Sequence, residues 1–200
     1  SSLGQFQGFQ LTNQSIGTAD DTANAQSVTV DGTLTSLGTI ANDAAVLADA
    51  FNAANLGFLA TANETSVASA TTNATLADAG NVDSFSINGV TFSLTNSGDA
   101  ANNRELAVAA INAQSSVTGV VATNDGTGVA LAASSGRNIT VADGTLTSTN
   151  GLAEYGLLAA DTTGATIDLT FQAGAGVTGN VTFTGAFNPG PQAVAATGTA

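Results

Sequence analysis

Carboxylates are the side chains of this sequence that come closest to a catalytic set. The 200-residue chain has 15 acidic residues, and two carboxylic acids across a cleft are enough to hydrolyse a glycosidic bond. By type alone, the candidates are Asp20, Asp21, Asp43, Asp49, Glu64, Asp125 and Glu154. Sugar-binding clefts usually add aromatic platforms, whereas this chain has one tyrosine, Tyr155, and no tryptophan. We therefore predict that these acids are solvated surface groups.

Most other catalytic sites would lack their essential side chains here. The sequence contains no histidine, cysteine or lysine, so catalytic triads, Schiff-base lysines and imidazole metal sites cannot form. No phosphate-binding GxxxxGK[ST] loop occurs, and no calcium-loop spacing of aspartates. The sequence predicts a protein that is not an enzyme, with no catalytic, cofactor-binding or metal-binding residues and no cofactor.

Glycosylation triplets are frequent, as expected in a chain rich in Asn and Thr. The Asn-x-Ser/Thr pattern begins at Asn13, Asn63, Asn73, Asn138 and Asn180. Composition alone accounts for them, and only a host that N-glycosylates its proteins would use them.

The charge of the chain argues against two classes of partner. The formal net charge is −13, and the cationic side chains are Arg104 and Arg137. Nucleic acids and anionic membranes are bound by clusters of cations, so we expect neither as a partner. Each arginine is predicted to pair with a nearby acid, Arg137 at the top of a hairpin turn.

No segment has the length of a membrane span or the composition of a signal peptide. Apolar runs stay short of the roughly 18 residues that a spanning helix requires, and no basic and apolar leader opens the chain. The first residues, SSLGQFQGF, are typical of the middle of a protein. We therefore expect the chain to be a fragment.

The first half of the chain contains a hairpin, a helix and an extended stretch in succession. Residues 27–37 alternate about Asp31-Gly32, which favours the type I′ turn of a β-hairpin. Residues 41–57 have helical apolar spacing, with Asp43 or the residue before it as the N-cap. Residues 57–70 are predicted to be extended, with a turn in the middle. The predicted buried face of the helix contains Val46, Leu47, Ala50, Phe51 and Ala54.

The same succession recurs in the second half. Residues 84–95 alternate about Asn88-Gly89, the strongest hairpin signal of the chain. Residues 98–114 predict a helix capped by Asp99, and residues 118–141 predict three strands separated by turns. Leu106, Ala107, Ala110 and Ile111 are predicted to share a helix face. The side chains expected to form the core of this half are Phe85, Ile87, Phe92, Leu94 and Ile111.

Shared landmarks relate the two halves. They pair Val30-Asp31-Gly32 with Ile87-Asn88-Gly89, Phe51-Asn52-Ala53 with Ile111-Asn112-Ala113, and Ala60-Thr61 with Ala122-Thr123. Such a repeat predicts an α+β fold of β-hairpins packed on short helices, with two consecutive hairpin–helix–hairpin modules plus a terminal β element.

The predicted organisation has four regions. Residues 1–25 form a connecting segment with a possible edge strand, and residues 26–78 form the first hairpin–helix–hairpin module. Residues 79–160 form the second module, and residues 161–200 contribute terminal β strands and a linker. Strands near the two termini, within residues 5–11 and 167–183, are predicted to pair, and residues from 189 onward to form the linker or frayed end.

Four segments of the sequence, taken in order, resemble the central variable region of bacterial flagellins. The segments are FSINGVTFSL at 85–94, AVAAINAQSSVTGVVAT at 107–123, VALAASSGRNITV at 129–141 and AEYGLLAADTTGATIDLTF at 153–171. The first three are similar to the flagellin IN motif, in which a hairpin and a helix ending in Ile-Asn precede T-G-V-x-A and S-x-G-R-N-I. The good match covers 84–171, and residues 27–70 resemble a degenerate second copy.

This resemblance implies an α+β outer domain on the surface of the bacterial flagellar filament, exported without a cleaved signal. It implies neighbouring flagellin subunits as partners, through the parent protein. The terminal coiled-coil helices that polymerise flagellin are missing from this sequence, so the fragment alone is expected to be monomeric. A filament cap or hook-associated protein, which shares the motif, and an extracellular adhesin or carbohydrate-binding module remain alternatives.

Overall fold

The computed structural model of this chain describes residues 6–197, with side chains for 7–194. Strands account for 42% and helices for 19%, in several small antiparallel sheets with few helices, which confirms the predicted α+β class at this level. Contacts divide the chain into two compact units. The flanking unit combines Ser1–Asn63 with Gly164–Ala200, and the central unit is Glu64–Thr163. These limits differ from the predicted module boundaries at 78/79 and 160/161.

The elements follow one another in short segments. The strands are β1 (Phe6–Gln14), β2 (Asp20–Val30), β3 (Thr33–Asn42), β4 (Phe58–Ala62), β5 (Thr65–Val67), β6 (Val82–Ile87), β7 (Val90–Thr95), β8 (Val121–Asn124), β9 (Val129–Ala133), β10 (Ile139–Asp143), β11 (Asp161–Thr163), β12 (Ile167–Gln172), β13 (Asn180–Thr184), β14 (Gln192–Ala193) and β15 (Ala195–Thr197). The helices are α1 (Ala44–Ala53), α2 (Ala100–Ala113) and α3 (Ser115–Thr118), with 3₁₀ turns at Leu76–Asp78 and Gly151–Tyr155.

Each unit contains two sheets. In the flanking unit the strand orders are β15-β1-β12-β4 and β14-β13-β2-β3. In the central unit they are β11-β10-β6-β7 and β5-β9-β8. One tight hairpin belongs to each unit, β2–β3 around Asp31-Gly32 and β6–β7 around Asn88-Gly89. All four turn residues have positive φ, between 48° and 81°, as a type I′ turn requires. Both predicted turns are therefore confirmed.

Replacing Gly89 by valine should destabilise the central unit by about 1–2 kcal/mol, because a β-branched residue is strained at positive φ. A Cβ at this position would meet no atom within 4 Å, so the cost comes from the backbone alone. Gly89→Asn is the control and should lose much less, since Asn tolerates this region. Thermal unfolding measures both variants, and equal melting temperatures for Gly89→Val and the parent would contradict this turn geometry.

Aspartates cap both long helices, as predicted. Asp43 Oδ1 accepts hydrogen bonds from the backbone N–H groups of Ala45 and Val46, and Asp99 Oδ1 accepts one from Asn102. The buried faces contain Ala44, Leu47, Ala48 and Phe51 in α1, and Asn103, Ala107 and Ile111 in α2. The predicted helix faces also held Val46 and Leu106, which are 36% and 37% exposed. The buried stripe is therefore narrower than the predicted face, at i, i+3, i+4 and i+7 in α1 and at i, i+4 and i+8 in α2.

The two units have separate apolar cores. Phenylalanines fill the flanking core, with ring centroids 4.8 Å apart for Phe58 and Phe171 and 5.0 Å apart for Phe51 and Phe58. Such offset and edge-on pairs stabilise a core beyond the area they bury. In the central unit, the predicted core residues Phe85, Ile87, Phe92, Leu94 and Ile111 belong to one buried cluster. That prediction is confirmed.

Several predictions about strand pairing are wrong. The stretch after α1 forms no hairpin, because β4 pairs with β12 and β5 with β9. The possible edge strand near the start, β1, lies between β15 and β12. The pairing of terminal strands is confirmed for β1 with β12, whereas β13 pairs with β2; residue 5 lies outside the described residues. The predicted linker contributes β14 and β15, and its last three residues, 198–200, also lie outside the described part.

Candidate functional site: a buried polar network

A network of buried polar side chains in the central unit is the candidate functional site. Its members come from β6, from the loop before α2, from α2 and from the 3₁₀ turns with the loop at 147–150. They are Asp78, Asp83, Asn96, Asn103, Ser148, Glu154 and Tyr155, and each is at least nine-tenths buried. Burying polar groups costs free energy unless hydrogen bonds replace those to water. The pairing of each group therefore decides what the network can do.

Asp83, on β6, accepts hydrogen bonds from five donors, one of which is the hydroxyl of Thr147, 3.3 Å from Oδ1. Its Oδ1 accepts from the backbone N–H groups of Thr147, at 2.6 Å, and Ser148, at 2.9 Å. Its Oδ2 accepts from Ser148 Oγ, at 2.5 Å, and Tyr155 Oη, at 2.8 Å. Burial by itself raises the pKa of Asp83, but the donors of Ser148, Tyr155 and Thr147 outweigh it and lower the pKa below its ordinary value. The carboxylate is therefore ionised at neutral pH.

Glu154 lies on the neighbouring side of the network and is fully buried. Its Oε2 accepts from the backbone N–H of Thr75 and from Asn96 Nδ2, both at 3.2 Å. Its Oε1 accepts from Asn150 Nδ2 at 2.9 Å. This carboxylate thus joins three segments that are distant in sequence.

Asp78 is the third buried acid of this network. Its carboxylate accepts from the backbone N–H of Thr149 at 2.9 Å and from the hydroxyls of Thr75 and Thr149, at 2.7 and 3.1 Å. The backbone N–H of Thr149, followed by the Thr75 hydroxyl, lowers the pKa of Asp78. Residues 147–155, which form little regular structure, are therefore fixed to the core by three carboxylates.

The side chain of Asn96 is bonded at both ends of its carboxamide. Its Oδ1 accepts from the backbone N–H of Gly98 at 2.8 Å and from Asn103 Nδ2 at 2.9 Å. Its Nδ2 donates to Ser148 Oγ at 3.1 Å and to Glu154 Oε2 at 3.2 Å. Two donors and two acceptors exhaust the hydrogen-bonding capacity that the amide presents.

The structure brings only one of the sequence-predicted acids into this network. Glu154 was predicted to be solvated, and that prediction is wrong. Asp43 is also buried, at 7% exposed, because it caps α1. The remaining acids of the predicted set are exposed, wholly or in part: Asp20, Asp21, Asp49, Glu64 and Asp125.

Sequence reasoning missed Asp78 and Asp83, and for Asp83 the signal was present. In the segment V-D-S-F-S-I of β6, strand alternation places Asp83 on the same face as Phe85 and Ile87. All three are fully buried. An acid in phase with two core residues predicts a buried carboxylate, whereas nothing local distinguishes Asp78 or Glu154.

A different feature occurs in both units. Near the C-terminal end of each long helix, an asparagine side chain hydrogen-bonds to the backbone of an edge strand. Asn52 of α1 accepts from the N–H of Ala60 at 2.8 Å and donates to its C=O at 2.9 Å. Asn112 of α2 does the same with Ala122, at 2.8 and 3.0 Å. Ala60 lies on β4 and Ala122 on β8, and both are edge strands. These asparagine clamps satisfy backbone groups that an edge strand otherwise leaves unpaired.

Removing one clamp should be measurable by thermal or urea unfolding. Asn112→Ala leaves an N–H and a C=O of Ala122 without their protein partner, and we expect a loss of about 1–2 kcal/mol. Asn102→Ala, on the same helix but exposed, is the matched control and should change stability by less than about 0.5 kcal/mol. Equal effects of the two changes would show that the clamp contributes nothing specific.

The arginines contact neutral groups, whereas each was predicted to pair with an acid. Arg104 Nε donates to Asn124 Oδ1 at 3.0 Å, and its Nη1 donates to Thr72 Oγ1 at 3.3 Å. An amide and a hydroxyl therefore stand where an acid was expected. Arg137 packs across Gly119, where an added Cβ would lie 2.7 Å from Arg137 Cδ.

Of the glycosylation triplets, the one at Asn138 is buried, at 3% exposed.

Two cavities in the described part of the chain each have a single acid in their lining. An apolar cavity of about 290 Å³ in the central unit has Val129, Leu131 and Leu157 in its lining, with Asp161 as its one acid. A polar cavity of about 510 Å³ in the flanking unit has Asp20 as its one acid. Within residues 6–197, no group of three or more acidic side chains could hold a metal ion. In the same range, no helix is long and apolar enough to cross a membrane.

No protein-family model matches the chain, and no curated protein sequence matches it significantly.

Proposed function

We propose that this chain is a structural, non-catalytic module, the surface-exposed outer domain of a bacterial flagellin that serves motility and surface display. In this proposal the module is extracellular, in the flagellar filament. Its partners are neighbouring subunits, through the parent protein, and the isolated fragment is monomeric. In its fine architecture one hairpin–helix arrangement occurs twice, as β2–β3 with α1 and as β6–β7 with α2.

The observation that carries the proposal is the pair of asparagine clamps. In the segment that resembles the IN motif, Ile111 is fully buried and Asn112 binds the backbone of Ala122. Phe51, Asn52 and Ala60 repeat this arrangement in the segment that resembles a degenerate copy. This supports the proposal because residues on which the resemblance rests have the same physical role in both halves of the chain.

The acidic surface supports the same role. A net charge of −13 favours solubility and mutual repulsion between molecules at high local density. The polar network is consistent with a mechanical element, because its carboxylates are occupied by donors of the chain itself.

Immunogold electron microscopy on cells of the source organism would test the proposal. An antibody raised against the purified chain should label flagellar filaments along their whole length. Label confined to the filament tip would replace the proposal with a cap protein, and label on the cell body alone would replace it with an adhesin. A glycan array adds an independent readout, on which we expect no reproducible binding.

A further inference from the structure

The polar network holds a nucleophile and a carboxamide in contact within the core. Ser148 Oγ lies 3.1 Å from Asn96 Nδ2 and 2.5 Å from Asp83 Oδ2. Ser148 is 6% and Asn96 1% exposed, and Asp83 is fully buried. A hydroxyl that is hydrogen-bonded to a carboxylate and lies beside an acyl group is the arrangement that nucleophilic acyl transfer requires.

The carboxamide is polarised for attack. Its Oδ1 accepts hydrogen bonds from the N–H of Gly98 and from Asn103 Nδ2, at 2.8 and 2.9 Å. Two N–H donors aimed at one carbonyl oxygen constitute an oxyanion hole, because they also stabilise the negative charge that develops there. Asn103 is itself held in place, because its Oδ1 accepts from the N–H and hydroxyl of Ser97.

The Asp83 carboxylate, which would act as the base, is held in its ionised form. Tyr155 Oη and the N–H groups of Thr147 and Ser148 bind the Asp83 carboxylate and leave it charged at neutral pH. These donors make it a weak base, but a reaction that occurs once per molecule needs no high rate. The burial of the site keeps water from competing as the nucleophile.

We propose that Ser148 and Asn96 form an intramolecular ester that covalently closes the central unit. A side-chain rotation carries Oγ from the nitrogen end of the carboxamide to the face of its carbon, to which that nitrogen is bonded. Asp83 takes the hydroxyl proton as Oγ bonds to Cγ, and the C=O electron pair moves onto Oδ1. The Cγ–Nδ2 bond then breaks, and the nitrogen takes the proton and leaves as ammonia. This inference does not depend on the filament function proposed above.

Intact-mass spectrometry of the purified, denatured full chain tests the ester directly. The expected mass is that of the sequence minus one ammonia. Proteolysis should then yield one species that joins the peptides containing Asn96 and Ser148, and hydroxylamine should separate them. The unmodified sequence mass in the parent chain would overturn the proposal, without any need for a variant to fold.

The peptide that has lost ammonia must be identified, because cyclisation at an Asn-Gly pair, such as Asn88-Gly89, also releases ammonia. A loss confined to a single peptide containing Asn88 or Asn150 would therefore overturn the proposal. Ser148→Ala and Asn96→Ala should each restore the full sequence mass. Ser93→Ala, an exposed serine of the same unit, should retain the loss of ammonia.

Discussion

Replacing Asp83 by leucine is expected to destabilise the central unit by at least about 3 kcal/mol. The substitution removes every acceptor from a fully buried position. The hydroxyl of Ser148 and the N–H groups of Thr147 and Ser148 then lose this acceptor, and Tyr155 Oη keeps only its longer bond, of 3.3 Å, to the carbonyl oxygen of Leu94. A buried donor left unpaired costs about 1–3 kcal/mol, and this cost exceeds the gain from an apolar side chain when only one partner is replaced.

Urea unfolding followed by circular dichroism measures this loss. Asp143→Leu, at an exposed position of the same unit, is the matched control and should change stability by no more than about 0.5 kcal/mol. Asp83→Asn keeps one acceptor oxygen and should fall between leucine and the parent. A leucine variant as stable as the parent would mean that the network contributes no net stability.

Local chemistry made the turns and caps predictable. Asn88-Gly89 needs positive φ at both residues, and few other dipeptides supply it cheaply. Asn88 has a further role that the turn pattern does not reveal, because its side chain binds the backbone of Thr140 at 2.9 Å and of Thr118 at 2.9 Å. Short-range rules identify such positions, whereas their long-range bonds depend on which elements meet.

The choice of strand partner was not predictable from alternation. Residues 58–67 show the pattern of extended structure, yet β4 pairs with β12 and β5 with β9. Alternation reports which face of a strand is buried and not which strand lies beside it. A turn of suitable type between two strands makes a hairpin probable only when neither strand has a better partner elsewhere.

The candidate site was partly hidden for a related reason. Asp83 could have been found from its phase with Phe85 and Ile87 on β6. Glu154 could not, because its burial depends on Thr75, Asn96 and Asn150, which come together only in the folded chain. An acid with no cationic residue near it in the sequence is normally read as a surface group. In this fold, neutral N–H and O–H donors take the place of a cationic partner.

The second prediction with a large expected effect is that the protein loses stability at low pH. Hydrogen bonds lower the folded-state pKa of Asp78, Asp83, Asp125 and Asp168 below 3.8, although burial opposes this for each. A carboxylate whose pKa is lower in the folded state stabilises the fold above its unfolded pKa of about 3.9. That contribution is lost as the pH falls through the folded pKa. The unfolding free energy should therefore decrease steadily below about pH 4.

An alkaline limit follows from Tyr155. Burial, with the hydrogen bond to Asp83, raises the pKa of Tyr155 above its ordinary value of 10.0. A group with a raised folded pKa stabilises the fold below its unfolded pKa, and the contribution is lost as the pH rises above it. The sequence contains no histidine, so no side chain with an unperturbed pKa near neutrality titrates in between. Stability should be nearly constant from about pH 5 to pH 9 and fall above about pH 10.

Urea unfolding at a series of pH values would test both limits, and Tyr155→Phe would separate them. The phenylalanine variant should lose the alkaline decrease because no phenol remains to ionise. It should retain most of the acid decrease, because Asp83 keeps its bonds from Ser148 and Thr147. If Tyr155→Phe abolished the loss of stability at low pH as well as the loss at high pH, both losses would have to be assigned to Tyr155. Stability that changed between pH 5 and pH 9 would contradict the assignment of these carboxylates and this phenol as the controlling groups.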